Sequence, residues 1–155
     1  MTDLSQFLAP GAVRDGVSVT SKRGVFAVLG GLAARNYALD EREVVEALAE
    51  RERLGSTGFG RGVAIPHARV PGLRHIVGAV LRLDQPVDFD AVDDGGVDLV
   101  FMLLSPPDAG AEHLKALATV SRALRDANFA AKLRGAASDD ALWALLSASE
   151  TRDAA

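Results

Sequence analysis

The chain has 155 residues, 48% of them hydrophobic, which is enough for one domain with a sizeable core. A formal net charge of −4 and an aromatic content of 5% argue against a nucleic-acid binder, which usually has a basic surface or aromatic stacking residues. The sequence has no cysteine, which excludes disulfides, and no apolar run suited to a secretory signal or a membrane span. We expect a cytoplasmic protein without direct membrane insertion, a single domain over residues 1–149, and a disordered tail over 150–155.

The first part of the chain carries the signals of one strand and two helices. Alternating valines predict the strand, and Ser21 is placed to cap the helix that follows it. Asp40 and Glu43 resemble a capping box at the start of the second helix, and Gly55 marks its end. The predicted elements are a helical turn at 5–8, a strand at 13–20, a helix from 22 to about 35 and a helix from 41 to about 53.

A glycine-rich loop follows the second helix. Residues 55–62 include four glycines, so the backbone N–H groups can turn toward an anion. Ser56 and Thr57 add hydroxyl donors, and we predict a phosphate-binding loop that includes Ser56, Thr57 and Gly58. The alternative is a plain flexible connection. Because the spacing matches neither the P-loop nor the dinucleotide fingerprint, we expect neither ATP nor NAD, and no cofactor.

His67 follows this loop after a short apolar segment. Val63 to Ile65 predicts a buried strand, and Pro66 fixes its own φ and favours extended geometry at its neighbour. A histidine held at a strand end beside a basic, glycine-rich loop is a candidate nucleophile. Two further strands are predicted at 76–83 and 97–104, with an extended connection at 85–90.

Charge is segregated around His67. Residues 51–82 carry six arginines and one acid, Glu52, whereas residues 83–112 carry eight acids and neither lysine nor arginine. In a chain of negative net charge, a local basic field is what phosphate binding near His67 requires. The alternative is that the acids form a solvated face and turns, which we expect at least for residues 93–96.

His113 is the second candidate histidine. It lies in the first turn of a helix predicted at 111–124, which Asp108 is placed to cap, beyond the carboxyl end of the strand at 97–104. Ligands bind at that edge of open α/β sheets. The alternative is a surface histidine without a role, which is our interpretation of His75. The remaining helices are predicted at 128–133, closed by Gly135, and at 139–148, capped by Ser138 with Trp143 in the core.

Four segments carry a family resemblance: 54–67 (LGSTGFGRGVAIPH), 86–90 (PVDFD), 97–101 (VDLVF) and 112–115 (EHLK). Together they resemble the IIA domain of the bacterial phosphotransferase system, in its fructose/mannitol class. The resemblance covers about residues 4–148, and the Ile-Pro-His element with a second histidine later in the chain is specific. As a lone domain, the chain is most similar to the free-standing nitrogen-regulatory members. Ala68 is a departure, because the family usually has glycine after the histidine.

The resemblance implies a three-layer α/β/α sandwich with a mixed central sheet. It also implies a phosphotransferase that works through a phosphohistidine, with an HPr-like phosphocarrier as the donor. In that role His67 is phosphorylated, His113 is its partner histidine, and Arg51 neutralises phosphate charge. We expect the phosphorylation state to control regulatory target proteins. The alternative is that the phosphoryl group passes to a IIB permease domain in sugar transport, and the sequence alone separates these two roles poorly.

Two other classes of function stay open. A zinc hydrolase would use His67 and His113, but the sequence offers no third His or Cys with metal-site spacing, so we expect no metal. A pure binding module would leave His67 chemically inert. A phosphorylation assay separates this class from the phosphocarrier.

Overall fold

The computed structural model describes residues 3–147, which form one mixed sheet between two groups of helices. The chain opens with a short 3-10 helix at Leu4–Phe7. The predicted tail at 150–155 lies outside the described residues. The strands are β1 (Leu8–Val17), β2 (Gly58–Gly60), β3 (Val63–Ala64), β4 (His67–Arg69), β5 (Val77–Val87) and β6 (Val97–Ser105). The helices are α1 (Lys22–Tyr37), α2 (Glu41–Arg53), α3 (Ala111–Arg125), α4 (Ala127–Arg134) and α5 (Asp139–Ser147).

The sheet runs in the order β1-β5-β6-β3-β2, and β4 pairs with β6 further along that strand than β3 does. β1 is parallel to β5, and β3 and β4 are parallel to β6. β5 and β6 are antiparallel, as are β2 and β3. With helices covering both faces, the predicted three-layer α/β/α sandwich on a mixed sheet is confirmed.

β6 shows why both faces of the sheet must be covered. Apart from Asp98, every residue from Val97 to Leu104 is apolar, and from Leu99 to Leu104 alternate side chains enter two separate cores. The first core lies under α1 and α2, and the second lies under α3, α4 and α5. The β6 residues of the first core are Val97, Val100, Met102 and Leu104, and those of the second are Leu99, Phe101 and Leu103.

Most predicted helix caps are confirmed. Ser21, Asp40 and Ser138 each accept a hydrogen bond from the backbone N–H three residues later. The prediction that Asp108 caps α3 is wrong, because the N-cap residue is Gly110 and it makes no side-chain cap. Gly110 has a φ of 52°, a left-handed conformation that glycine adopts without steric cost. None of the helices within residues 3–147 is long and apolar enough to cross a membrane.

Several element boundaries differ from the predictions. β1 begins at Leu8 and not at Val13. It tolerates Pro10 because it is an edge strand, where a residue without an N–H need not interrupt the hydrogen bonds to the neighbouring strand. α1 extends to Tyr37, whose hydroxyl accepts from Ala9 N–H at 2.9 Å and donates to the Gly78 carbonyl at 2.6 Å. β5 continues to Val87, into the first half of the connection predicted at 85–90, and the glycine loop contains the short strand β2.

Candidate functional site

His67 opens β4, after a break between two strands that pair with the same neighbour. β3 ends at Ala64, and Pro66 has no N–H to give to the ladder, so pairing with β6 resumes only at His67. The Pro66 carbonyl still accepts a hydrogen bond from Leu103 N–H at 2.9 Å. His67 therefore begins a strand, where the prediction placed it at the end of one, and pairing to the central strand fixes its backbone.

The two ring nitrogens of His67 have different partners. Nδ1 lies 2.8 Å from the Ile65 carbonyl, which can only accept, so Nδ1 carries the proton in the neutral ring. Nε2 then has a free electron pair, and it accepts a hydrogen bond from Arg51 Nε at 3.1 Å. The geometry therefore presents Nε2 of a half-buried imidazole as the nucleophilic atom.

Arg51 reaches this nitrogen from the last turn of α2. Its Nη1 group also donates to the Gly55 carbonyl at 2.9 Å, which anchors the guanidinium to the start of the glycine loop. A guanidinium has five N–H donors in a rigid plane, so Arg51 keeps further donors for an anion while both contacts persist. The predicted convergence of Arg51 and His67 is thus a direct contact in the structure.

His113 lies next to His67 and is the third residue of α3. The two imidazole centroids are 5.6 Å apart and the ring planes are inclined by 56°. The His113 residue is only 6% exposed, and its Nδ1 lies 2.6 Å from the hydroxyl of Ser105. The structure therefore brings together the three residues that the sequence singled out, Arg51, His67 and His113.

Burial lowers the pKa of both histidines. It is the main cause that lowers the pKa of His67, with Arg51 and Arg69 acting in the same direction, against the Ile65 carbonyl and Glu52. The pKa of His113 is also lowered, first by burial and then by the charges of Arg69 and His67. A neutral imidazole is the form that can attack an electrophile, so the lowered pKa of His67 favours its use as a nucleophile at neutral pH.

The loop residues predicted to bind phosphate use their donors inside the protein. The Ser56 hydroxyl donates to the Phe89 carbonyl and accepts from Gly58 N–H. The N–H and hydroxyl of Thr57 donate to the two carboxylate oxygens of Glu52, at 3.1 and 2.6 Å. Phosphate binding through Ser56, Thr57 or Gly58 would have to replace these bonds, and that role stays a prediction.

The basic field predicted around His67 is narrower in the structure than in the sequence. Arg69 lowers the pKa of both site histidines, and Arg51 lowers that of His67. Arg69 shares a face of β4 with His67 because residues two apart in a strand point the same way. Arg53 and Arg82, by contrast, pair with acidic side chains.

The acidic segment supplies turns and ion pairs, in line with the alternative interpretation. The Asp93 carboxylate accepts from the backbone N–H groups of Arg61 and Gly95 at 3.0 Å each, which lowers the pKa of Asp93. His75 is exposed. Over the described range 3–147, no three or more His, Cys, Asp or Glu side chains form a group that could hold a metal ion.

Three contributors to the site were not predicted. Ser105 contacts His113, Glu52 holds the glycine loop through Thr57, and the Ile65 carbonyl sets the proton position on His67. For Glu52 the sequence did carry a signal, because it is the single acid among the arginines of residues 51–82. Backbone carbonyls and a serine at a strand end have no comparable sequence signature.

The fold and the sequence define the class of protein. Residues 6–149 match the model of the family described as "Phosphoenolpyruvate-dependent sugar phosphotransferase system, EIIA 2", and the chain belongs to this family of phosphotransfer domains. Its similar relatives include proteins named "Nitrogen regulatory protein". One, from Bradyrhizobium diazoefficiens, is 45% identical over 143 residues, covering 92% of this chain and 94% of the relative. Another, from Pseudomonas aeruginosa, is 43% identical over 147 residues, covering 94% and 96%.

A solved structure gives the same assignment. The crystal structure of nitrogen regulatory protein IIA-Ntr from Neisseria meningitidis matches with a TM-score of 0.84 at 38% sequence identity. The match covers 92% of this chain and 98% of that chain. The resemblance seen in the sequence motifs is thereby confirmed at the level of the family and of the fold.

Proposed function

We propose that this protein is a phosphocarrier that accepts a phosphoryl group on His67 Nε2 from an HPr-like protein and regulates partner proteins through its phosphorylation state. The observation that carries the proposal is the hydrogen bonding of His67. The Ile65 carbonyl holds the proton on Nδ1, and Nε2 faces the guanidinium of Arg51. The names of the nitrogen-regulatory relatives support the regulatory output.

The transfer is a substitution at phosphorus between two imidazoles. The electron pair of His67 Nε2 forms a new N–P bond, while the N–P bond of the donor's phosphohistidine breaks and its electron pair stays on the donor imidazole. The nucleophilic nitrogen has no proton to lose. Nδ1 keeps its proton and its bond to the Ile65 carbonyl, which stabilises the positive charge of the phosphorylated ring.

Arg51 and His113 assist the transfer without accepting the phosphoryl group. When the group arrives, the Arg51 N–H that now points at Nε2 becomes a donor to a phosphoryl oxygen, and the bond to Gly55 keeps the guanidinium in place. The ring of His113 lies 5.6 Å from that of His67, centroid to centroid, and supplies a second N–H donor. Such groups stabilise charge that develops in the transition state.

The proposed regulation depends on the negative charge that a phosphoryl group adds at His67. A phosphoryl group adds roughly −1.5 to −2 charge at neutral pH, and here it would be added to a half-buried ring beside Arg51 and Arg69. The local field then changes from positive to neutral or negative without any change of fold. A protein that contacts this surface can distinguish the two states by electrostatics alone.

Phosphorylation is tested with enzyme I, phosphoenolpyruvate carrying a labelled phosphoryl group and an HPr-like carrier. We expect an acid-labile adduct on the wild type, none on His67→Ala, and a wild-type adduct on the control His75→Ala, which removes an exposed histidine. Stoichiometric labelling of His67→Ala would contradict the proposal.

The regulatory output is tested by comparing the partners that bind phosphorylated protein, unphosphorylated protein, His67→Ala and the charge mimic His67→Asp. We expect partners that depend on the phosphorylation state. An identical set of partners, together with rapid transfer of the phosphoryl group to a sugar-specific IIB domain, would replace the regulatory role with the transport role.

A further inference from the structure

Ser105 has a buried hydroxyl with one side-chain contact. It is the last residue of β6, it is fully buried, and its Oγ lies 2.6 Å from His113 Nδ1. Within residues 3–147 this hydroxyl has no other hydrogen-bond partner. The only acceptor available to the hydroxyl proton is therefore the imidazole nitrogen.

The contact determines which nitrogen of neutral His113 carries the proton. If Nδ1 carried it, Nδ1–H would donate to Ser105 and the buried hydroxyl proton would have no acceptor, which costs free energy. If Ser105 donates to Nδ1, the ring proton is on Nε2 and both groups are satisfied. The second arrangement is the favoured one.

We infer that Ser105 is a positioning residue that holds His113 as the Nε2–H tautomer, so that His113 presents a donor to a phosphoryl group on His67. With the ring centroids 5.6 Å apart, a group bonded to His67 Nε2 lies within reach of the second ring. The opposite tautomer would present an electron pair to the phosphoryl oxygens and repel them. This inference rests on the proposed function for the phosphoryl group, whereas the tautomer itself exists without it.

The hydroxyl also suits the charged form of His113. A phosphoryl group beside His113 favours the imidazolium, in which both nitrogens carry protons. The Ser105 hydroxyl then turns and accepts from Nδ1–H, which satisfies the charged ring although the hydroxyl proton loses its acceptor. Alanine can neither donate nor accept a hydrogen bond at this position. Ser105→Ala therefore removes the hydrogen bond to His113 Nδ1 in both charge states of the ring, although it removes only one oxygen atom.

The test first measures the tautomer. Ring ¹⁵N chemical shifts of His113 in the unphosphorylated protein at neutral pH should show the Nε2–H form in the wild type and a mixture of both tautomers in Ser105→Ala. This measurement requires no phosphotransfer, so it decides the role of Ser105 even if His67 is never phosphorylated. An Nδ1–H ring in the wild type, or an unchanged Nε2–H ring in Ser105→Ala, would overturn the inference.

The second measurement is a double-mutant cycle on the rate of transfer from the HPr-like donor. Ser105→Ala should slow transfer roughly 3- to 10-fold, the effect of one hydrogen bond of ordinary net strength. In a His113→Ala background the same substitution should have no further effect. Equal slowing in both backgrounds would show that Ser105 acts through strand packing, and would also overturn the inference.

Discussion

Arg51→Gln removes the only cation in hydrogen-bond contact with the nucleophile proposed here, among the residues that the structure describes. Two contacts are lost, from Nε to His67 Nε2 at 3.1 Å and from Nη1 to the Gly55 carbonyl at 2.9 Å. A donor that meets transition-state charge is worth about 10²–10³ in rate, or about 2.7–4 kcal/mol. We therefore expect Arg51→Gln to slow transfer from the HPr-like donor by about 10²–10³.

The cost to stability is measured separately from the rate. Loss of the bonds to Gly55 and His67 costs about 0.5–1.5 kcal/mol each, and loss of a cation at the end of α2 costs about 0.3–1 kcal/mol. A domain of ordinary stability stays folded after such a loss. The assay is rapid-quench measurement of labelled phosphoryl transfer, with chemical denaturation of the same samples to record the unfolding free energy.

Arg53→Gln is the matched control. Arg53 lies in the same last turn of α2 and carries the same charge, but its side chain is exposed and pairs with Glu50. The Arg53→Gln substitution should leave the transfer rate nearly unchanged, since an exposed ion pair contributes little free energy. If both variants slow transfer equally, the rate depends on the general basic field. If Arg51→Gln transfers at the wild-type rate, the proposed architecture of the site is wrong.

Two further predictions concern pH and the glycine loop. Burial lowers the pKa of His67 from its ordinary value of 6.5. The transfer rate should therefore stay constant as pH falls through 6.5 and decline only near the lowered pKa. A pH–rate profile in which the rate already declines at pH 6.5 or above would contradict this prediction. The lowered pKa values of His67 and His113 also mean that the unfolded chain binds more protons, so the unfolding free energy should decrease as pH falls from 6.5 toward those values. Glu52→Gln weakens the bonds to Thr57 and also removes the ion pair with Lys22 at 2.9 Å, so it should lower the unfolding free energy by about 1–3 kcal/mol in denaturant titrations. Glu50→Gln, on an exposed acid of the same helix, should change that free energy by less than about 0.5 kcal/mol, and equal effects would show that Glu52 does not anchor the loop.

Much of the fold is encoded in local signals that a single sequence shows. Three helices, α1, α2 and α5, begin where their predicted N-caps place them. In each case the cap has a side-chain oxygen that accepts from the backbone N–H three residues later, and the caps are Ser21, Asp40 and Ser138. The start of β1 at Leu8 has no clear local signal, because Pro10 and Gly11 are typical of turns and only the edge position of the strand makes them compatible with the sheet. Edge position depends on strand order, which local signals do not show.

The site likewise combines residues that local sequence signals indicate with contacts that depend on long-range structure. The residue types at 51, 67 and 113 indicated phosphate chemistry, and the family resemblance brought them together. Their actual contact depends on β4 pairing with β6 and on α3 following β6, which are long-range features. The donors of Ser56 and Thr57 look free in the sequence, but tertiary partners at Phe89 and Glu52 use them.

The choice of partner for His67 Nδ1 suits a group that must be passed on. A carboxylate at that position would stabilise the positive charge of a phosphorylated ring strongly and make the phosphoryl group harder to transfer. The partner here is the neutral carbonyl of Ile65, which orients the ring and holds its proton with a weaker interaction. In the proposed function, the phosphorylated ring would therefore remain a good leaving group, while Arg51 would supply charge stabilisation that is strongest when the phosphoryl group is between two nitrogens. We therefore expect the site to lower the barrier to transfer in both directions and not to hold the phosphoryl group in a deep trap, as a reversible carrier requires.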